Sequence, residues 1–274
     1  MIDAHHHFWQ YKAAEYPWMN DSLAALRQDY LPHHLKTELN AAGISGVVSV
    51  EARQQLEETD FLLNLAAHNP FVRGVVGWVP LINPDVHGIL EKYAANPRLK
   101  GVRHVLHDEA DDQYMLRADF NAGLGHLAPL GLRYDLLIFA RHLPFTIQLV
   151  DRHPQQVFIL DHIAKPAIKH AQLEPWRTDI RDLARRPNVY CKLSGMVTEA
   201  DWAGWSEKSL QPYVDTVLEA FGPRRLMFGS DWPVCIVAGG YQRWFTAIRS
   251  LTARLTADEQ DWIYEKTATQ AYRL

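Results

Sequence analysis

The chain has little cysteine, no long apolar run and no excess of basic residues. Only two cysteines, Cys191 and Cys235, occur among its 274 residues, so it has no disulfide framework and suits a reducing compartment. The longest apolar stretch, GVVGWVPLI, is too short to span a bilayer. The beginning is too polar and acidic for a signal peptide. These absences predict a cytoplasmic protein without a membrane segment.

The charge balance and a missing motif exclude two further classes of ligand. The net charge is -4 with a pI near 6.4, and no basic stripe is present, which argues against a nucleic-acid partner. No glycine-rich phosphate turn follows the first predicted strand, which argues against a dinucleotide-binding sheet. The composition is otherwise that of an ordinary globular protein, so a small molecule is the expected partner.

Short β-rich runs alternate with helical patterns along the whole chain. Several of the runs are continuously apolar, as expected for parallel strands buried on both faces. Eight strands alternating with helices over about 250 residues predict one α/β domain, a (β/α)8 TIM barrel spanning residues 1–274, with an open doubly wound sheet as the alternative. Residues 11–30 are predicted to form a long loop that shapes the site. The predicted strands are residues 2–6, 46–52, 72–79, 100–106, 132–137, 157–162, 189–194 and 226–231.

Three consecutive histidines near the beginning can be the remnant of a purification tag or the first part of a site. A tag usually carries six or more histidines and a flexible linker, whereas this run is followed at once by the apolar pair FW. Alternate side chains of a strand share a face, which predicts that Asp3, His5 and His7 point one way and His6 the other. Two imidazoles about 7 Å apart along a strand can converge on one ion or one substrate atom.

Polar or ionisable side chains end nearly every predicted strand. In a barrel, reactive groups lie at the carboxyl ends of the strands, and buried charges are costly unless they are used. The sequence therefore predicts a shared polar pocket there. The candidates are His5, His7, Ser49, Glu51, Arg53, Arg103, His104, Tyr134, Asp135, Asp161, His162, Lys165, Lys192, Ser194, Ser230, Asp231 and Trp232.

Several of these residues also have a plainer interpretation. Charged candidates such as Arg53 and Lys192 can be solvated charges at the rim, and Tyr134 and Trp232 can be core aromatics with a wet tip. Asp161 is predicted to cap the following helix. Histidines in predicted helices and loops are expected on the surface; they are His34, His68, His87, His107, His126, His153 and His170.

Five segments together resemble a known superfamily. DAHHHFW, GVRH, LDHIAKP, CKLSG and FGSDWP are similar to segments of the amidohydrolase superfamily, and more narrowly of its sugar-lactone and pyrone-lactone hydrolases. The resemblance runs nearly end to end and implies a (β/α)8 barrel that hydrolyses a cyclic ester. It implies that His5 and His7 are the first-strand pair, that His162 is the sixth-strand histidine and that Asp231 is the general base. It also implies that the histidine run is part of an active site.

The sequence departs from the two-metal pattern of the superfamily. Many members use a carbamylated lysine on strand four and a histidine on strand five. Here strand four ends in Arg103 and His104, with Lys100 at its opposite end, and strand five ends in Tyr134 and Asp135. These departures argue against a two-metal site and for at most one.

A single zinc is the cofactor that the resemblance allows. His5, His7, His162 and Asp231 could bind it in a single site. The metal need not be required, because a lactone is an activated ester and asks less of a Lewis acid than an amide does. No organic cofactor is expected. In the predicted mechanism Asp231 takes a proton from water, while the histidines and Arg103 or His104 donate to the oxyanion.

The mixture of charges predicts the substrate class. A dicarboxylate would favour an excess of arginines, whereas carboxylates in the pocket accept hydrogen bonds from hydroxyl groups and repel anions. Tryptophans such as Trp18 and Trp232 suit a polyhydroxylated neutral ring, so the expected substrate is an aldonolactone. The resemblance implies L-fucono-lactone as the first candidate. The charged residues predicted in the pocket are Arg53, Arg103, Lys165 and Lys192 with Glu51 and Asp135.

Three alternatives stay open at this point. A zinc-dependent decarboxylase of an aromatic or unsaturated acid would use the same histidines and Asp231, but would fail without its metal. A pyrone-dicarboxylate lactonase would share the chemistry but prefer an anionic substrate. A non-catalytic sugar-binding protein would have no need for Asp231. These features leave the oligomeric state open.

Overall fold

A closed barrel of parallel strands forms the centre of the protein. The computed structural model describes residues 1–274. Its eight strands pair in chain order, and beyond the end of the last strand the N–H of His7 donates to the carbonyl of Trp232 over 2.7 Å and closes the ring. The predicted (β/α)8 barrel is confirmed. The strands are β1 (Ile2–His6), β2 (Gly46–Val50), β3 (Val72–Gly77), β4 (Leu99–Val105), β5 (Arg133–Leu137), β6 (Phe158–Leu160), β7 (Val189–Leu193) and β8 (Leu226–Phe228).

Helices lie between the strands and pack against the outside of the barrel. Pro32 begins the first of them, where a missing N–H costs nothing, and Gly43 ends it with φ +68°, a conformation that glycine adopts without strain. None of the helices has both the length and the apolar character that a membrane crossing needs. The helices are α1 (Pro32–Ala42), α2 (Leu56–His68), α3 (Val86–Ala94), α4 (Ala118–Leu124), α5 (Leu143–Arg152), α6 (Trp176–Leu183), α7 (Glu207–Phe221), α8 (Gly240–Leu251), α9 (Ala257–Asp261) and α10 (Thr267–Tyr272).

The core has two apolar layers, and the inner one closes the amino-terminal end of the barrel. The outer layer lies between strands and helices. The inner layer joins strand residues such as Val48 and Met227 to Ala271 and Tyr272 of α10. Lys100, near the start of β4, donates to the carbonyl of Arg273 over 2.9 Å and ties this helix to the barrel. The carboxyl ends of the strands are left to carry polar groups.

A register shift in β1 changes which side chains face the interior. The pairing of β1 with β2 is irregular between Asp3 and His6. The Asp3 carboxylate accepts hydrogen bonds from the Ser230 N–H at 2.8 Å and the Tyr241 hydroxyl at 3.1 Å, so it faces α8. The prediction that Asp3 shares a face with His5 and His7 is wrong, because a bulge breaks the two-residue alternation.

Candidate active site

Three imidazoles and one carboxylate converge where β1, β6 and β8 end. Nε2 of His5 lies 3.2 Å from Nε2 of His7. One oxygen of Asp231 lies 3.8 Å from His5 Nε2, 3.5 Å from His7 Nε2 and 4.0 Å from His162 Nε2. These are the four residues that the sequence singled out from three separate segments, and the barrel brings them together.

Left-handed backbone aims two of these side chains. His162 has φ 53° and the next three residues, through Lys165, also have positive φ; Asp231 has φ 57°. Such conformations cost a residue with a Cβ roughly 1–2 kcal/mol each, and they persist where the surroundings hold them. The turn 162–165 lets His162 and Lys165 both line one cavity.

Gly195 provides the space in which the His162 ring sits. It follows β7 with φ +60°, and a Cβ built on it would lie 2.4 Å from His162 Nδ1. That separation is far below van der Waals contact, so any side chain here would displace the imidazole. The glycine in the segment CKLSG is therefore explained by close approach as well as by its φ.

Replacing Gly195 by alanine is expected to lower activity by about a hundredfold, because a misplacement of about 1 Å can cost that much. Gly222→Ala is the matched control: Gly222 has φ +66° but nothing within 4 Å of its built Cβ. Gly195→Ala should lose more stability than Gly222→Ala, because its Cβ also meets the buried imidazole; activity is therefore measured well below both unfolding temperatures. A Gly195→Ala enzyme as active as Gly222→Ala would show that the position of His162 does not matter.

The second ring nitrogen of each histidine is held by the surrounding protein. His7 Nδ1 donates to the carbonyl of Val50 over 2.8 Å. His162 Nδ1 lies 2.9 Å from the Ser194 hydroxyl, and His5 Nδ1 lies 3.2 Å from Asp161. Partners of this kind fix the ring orientation and turn Nε2 toward the centre, as is typical of metal-binding histidines.

The donor set has the chemistry that a single zinc ion prefers. Ligands of zinc lie about 2.0–2.2 Å from the ion and hence roughly 3.3–3.5 Å from each other. Four of the separations among the ligand atoms are 3.2 to 4.0 Å. The ligand atoms of His5, His162 and Asp231 all lie within 4.8 Å of one another, and His7 stands outside that group. When His5 Nδ1 donates to Asp161, two Nε2 lone pairs face each other, and a shared cation would relieve their repulsion.

Burial keeps His5 and His162 neutral, and the neighbours of Asp231 keep that carboxylate ionised. Burial lowers the pKa of His162 to about 4, against the opposing effect of Asp231. Burial also lowers the pKa of His5 well below its usual range. Burial raises the pKa of Asp231, but His162, His7 and Lys165 around it outweigh that effect and place it below the ordinary 3.8. Asp231 is thus a carboxylate at neutral pH, able to accept a proton.

A buried ion-pair network lies beneath the histidines. Lys192 contacts Asp135 at 2.6 Å and Asp161 at 2.9 Å, and its Nζ lies 3.1 Å from His5 Nδ1. Arg103 joins Asp161 at 3.0 Å and Glu51 at 2.8 Å. These side chains are at most 4 % exposed.

Asp161 belongs to this network and does not cap a helix. Its two oxygens contact His5, Lys192 and Arg103. Burial raises its pKa, yet Lys192, His5 and Arg103 lower it well below its usual range. The prediction of a helix cap is wrong, because the backbone after β6 turns left-handed at His162 and no regular helix begins there.

A cavity of about 350 Å³ opens above the four convergent residues. His7, His162 and Asp231 line it, while His5 lies beneath and is fully buried. The loop of residues 11–30 contributes Trp18, which is 37 % exposed, to its wall. Of the residues predicted to bind substrate, the cavity is lined by Trp18, Arg103 and Lys165. Glu51, Asp135 and Lys192 are fully buried outside its lining.

Two predicted substrate-binding residues lie on the wrong side of the barrel wall. Tyr134 packs between Phe120 and Phe158 in the layer beneath the helices. His104 stacks on Tyr114 and contacts Glu109 at 2.7 Å. Each adjoins a residue that faces inward, and neighbouring strand residues point to opposite faces. Tyr134 and His104 therefore do not reach the cavity.

Two more predicted substrate-binding residues support the loops around the cavity. Arg53 pairs with Glu58 at 2.9 Å and with Glu15. Trp232 is 3 % exposed and packs against Tyr30. Neither lines the cavity. Both residues follow a strand end, which is why the sequence predicts them in the cavity. In the structure they contact residues of the surrounding loops instead.

The cavity also uses residues that the sequence did not single out. His107 was expected on the surface, yet it lines the cavity and stacks on Phe139 with ring centroids 4.6 Å apart. Burial, with Lys165 and Arg103 nearby, lowers its pKa to about 3. Glu199 and Trp202 follow β7 and line the cavity as well. Their place soon after a strand end is a signal that could have found them.

Fold and cluster together define a class of protein. A (β/α)8 barrel that gathers histidines and an aspartate at the carboxyl ends of its strands can activate water there or hold one divalent metal. The amidohydrolase family model matches residues 2–274. The chain belongs to the amidohydrolase family.

Individual relatives cover the chain completely. An L-fucono-1,5-lactonase of Burkholderia multivorans is 39 % identical over all of this chain and 96 % of its own length. An L-fucono-1,5-lactonase of Burkholderia ambifaria is 35 % identical over all of this chain and 95 % of its own. A solved structure of a Burkholderia multivorans amidohydrolase with bound zinc superimposes with a TM-score of 0.96 at 39 % identity, covering 100 % of this chain and 99 % of that one.

Proposed function

We propose that the protein hydrolyses a sugar lactone to the sugar acid, with L-fucono-lactone as the first candidate. One observation carries the proposal: the ionised Asp231 lines a polar cavity and lies 3.5 Å from Nε2 of His7. A carboxylate in this position can take a proton from water. Two full-length relatives that are L-fucono-1,5-lactonases support the substrate class.

The geometry gives each residue of the cavity a role in this reaction. Asp231 accepts a proton as water attacks the lactone carbonyl and returns it to the ring oxygen as the C–O bond breaks. Arg103 and His162 line the same cavity, so they stabilise the negative charge that develops on the carbonyl oxygen. His5 lies beneath them and does not line the cavity. We therefore assign it a supporting role in the cluster, in place of the predicted donation to the oxyanion.

His5, His7, His162 and Asp231 would hold one zinc ion. When bound, the ion would supply Lewis acidity to the lactone carbonyl. The Burkholderia multivorans structure with bound zinc supports this assignment. The hydrogen bonds of the histidine Nδ1 atoms keep these side chains in place.

The charges around the cavity favour a neutral substrate. Arg103 and Lys165 are balanced by Asp108, Glu199 and Asp231. Lys165 is already paired with Glu199 at 2.6 Å. A pyrone dicarboxylate would meet no excess of cations here, whereas the hydroxyl groups of an aldonolactone can donate to the carboxylates and accept from the cations.

A lactone panel followed by acid release tests the proposal. The panel holds L-fucono-, L-rhamnono-, L-galactono- and D-arabino-lactones and a pyrone dicarboxylate, each with and without a strong chelator and corrected for spontaneous hydrolysis. Turnover of a sugar lactone supports the proposal. Loss of that turnover on chelation and its return with zinc would show that the metal is needed. No turnover of any sugar lactone would overturn the proposal and favour the decarboxylase.

The pH dependence of kcat/KM is expected to be flat between about pH 5 and 7.5. The base must be ionised, and the pKa of Asp231 lies below 3.8, so activity falls only as the pH drops through that value. Burial lowers the pKa of His162 to about 4, so no step near pH 6.5 should arise from it. Initial rates in a constant-ionic-strength buffer series measure this profile. An inflection near pH 6.5 would show a protonated histidine in the rate-determining state.

We also propose a cytoplasmic location and a small-molecule partner. Cys191 and Cys235 are both buried free thiols, which suits a reducing compartment. The acidic balance of the chain supports a small molecule over a nucleic acid.

A further inference from the structure

The proposed catalytic cavity adjoins a second, larger groove. The groove measures about 880 Å³, compared with about 350 Å³ for the cavity. Both are lined by Lys165, Thr198, Glu199 and Trp202. Ligand sites commonly measure about 300–1,000 Å³, so the cavity suits a single sugar ring and the groove has room for a second unit of at least that size.

An aromatic stack and an ion pair mark the boundary between the two spaces. His107 lines the cavity and Phe139 lines the groove, and their rings stack with centroids 4.6 Å apart. Lys165 and Glu199 meet at 2.6 Å and line both spaces. A ligand that passes this boundary would contact both the stack and the pair.

The groove has the chemistry of a carbohydrate site. Phe139 and Trp202 are both part-exposed, and the Trp202 indole is held by its hydrogen bond to the Thr198 carbonyl at 2.9 Å. The Trp202 face can pack against the apolar side of a sugar ring. The Phe139 ring is already covered by His107 and by Arg141, whose guanidinium carbon lies 4.9 Å from the ring centroid. The groove also carries three cations and three anions, Arg141, Lys165, Lys169, Glu174, Glu199 and Asp201.

This even balance narrows the chemistry of the occupant. A phosphate or carboxylate would favour an excess of cations. A purely apolar group would bury charges without giving them partners. A neutral group with many hydroxyls can donate to the carboxylates and accept from the cations.

We propose that the groove is a subsite for a second, glycosidically linked sugar ring, so that the enzyme accepts aldonolactones of disaccharides. The inference rests on the proposed lactone hydrolysis and deepens it. Contacts of the second ring lie far from the scissile bond, and binding energy from such remote contacts can raise kcat/KM.

Matched pairs of substrates test the subsite. Each parent monosaccharide lactone is compared with its 2-O-, 3-O- and 4-O-galactosyl derivatives and with a phenyl ether of the same hydroxyl. At least one galactosyl derivative should have a kcat/KM about tenfold above that of its parent. Galactosyl derivatives no better than their parents, or phenyl ethers better than both, would overturn the subsite. Failure to hydrolyse any parent lactone would instead overturn the proposed function.

A variant that fills the groove tests whether the groove and the cavity bind different parts of the substrate. Ala203 is exposed and lines the groove but not the cavity. Ala203→Trp should reduce the rate with the galactosyl derivative to that of the parent and leave the parent unchanged. Ala253→Trp, at an exposed position outside the groove, is the control and should change neither.

A second variant provides an independent test if the first does not fold. Arg141→Ala removes a side chain that is 52 % exposed and lines only the groove, and it should raise KM for the galactosyl derivative alone. If either folded variant slowed parent and derivative equally, the groove would not be a separate subsite.

Discussion

Asp231→Asn is expected to lower kcat for lactone hydrolysis by about a thousandfold, since general base catalysis contributes roughly 10²–10⁴-fold. The amide keeps the size of the side chain but cannot accept the proton of the attacking water. Asp231 lies within 4.0 Å of all three histidines, and no other carboxylate does so together with them. The measurement is kcat for the best lactone of the panel, with thermal unfolding to show that the variant folds.

Asp108→Asn is the matched control for this experiment. Asp108 lines the same cavity, but its side chain is 64 % exposed and its carboxylate contacts only His107, at 3.3 Å. Its loss should change KM more than kcat, with kcat within about threefold of wild type. An Asp231→Asn enzyme with undiminished kcat would contradict the proposed mechanism.

Lys192→Met is expected to lower the free energy of unfolding by about 3–5 kcal/mol, the usual cost of removing one partner of a buried ion pair. Lys192 has no exposed surface, and neither do Asp135 and Asp161, the carboxylates that it contacts. Burial already raises the pKa of Asp135 to about 6 despite Lys192. Methionine fills the volume but leaves Asp135 without a cation, while Asp161 keeps its pair with Arg103. Urea unfolding at pH 7 measures the loss.

Two further variants show whether the loss comes from unpaired charge. Adding Asp135→Asn to Lys192→Met removes one uncompensated carboxylate and should restore part of the stability, because Tyr272 can still donate to the amide oxygen at the place of its 2.6 Å bond. Lys266→Met removes a lysine that is 42 % exposed and pairs with Asp258 at 2.8 Å, and it should leave the midpoint unchanged within error. If Lys192→Met had the same free energy of unfolding as Lys266→Met, the buried network would not stabilise the fold.

The residues that the sequence placed correctly in the site share one property. His5, His7, His162 and Asp231 each sit at a strand end within a segment typical of the family. The barrel brings the ends of strands one, six and eight together regardless of the chain between them. Strand order and a motif were therefore enough to predict this cluster.

The residues that the sequence placed wrongly fail for a geometric reason. Arg103 and His104 are neighbours on β4, as are Tyr134 and Asp135 on β5, and only one member of each pair can face the interior. Which member does so depends on the phase of the strand, and bulges such as that near Asp3 shift this phase. His107 was missed because it lies in the short turn after β4, where no periodicity indicates direction.

The sequence by itself determined the barrel, its single layer of helices and the four residues that converge at its carboxyl end. It could do so because the alternation of apolar strands and amphipathic helices is local, and parallel strands of one barrel all end at the same edge. Only the tertiary structure decided the rest. It set Asp161 beside Lys192 and Arg103, turned the backbone left-handed at His162, and placed the groove beside the cavity. These features depend on contacts between side chains far apart in the chain, and such contacts leave no period or spacing in the sequence.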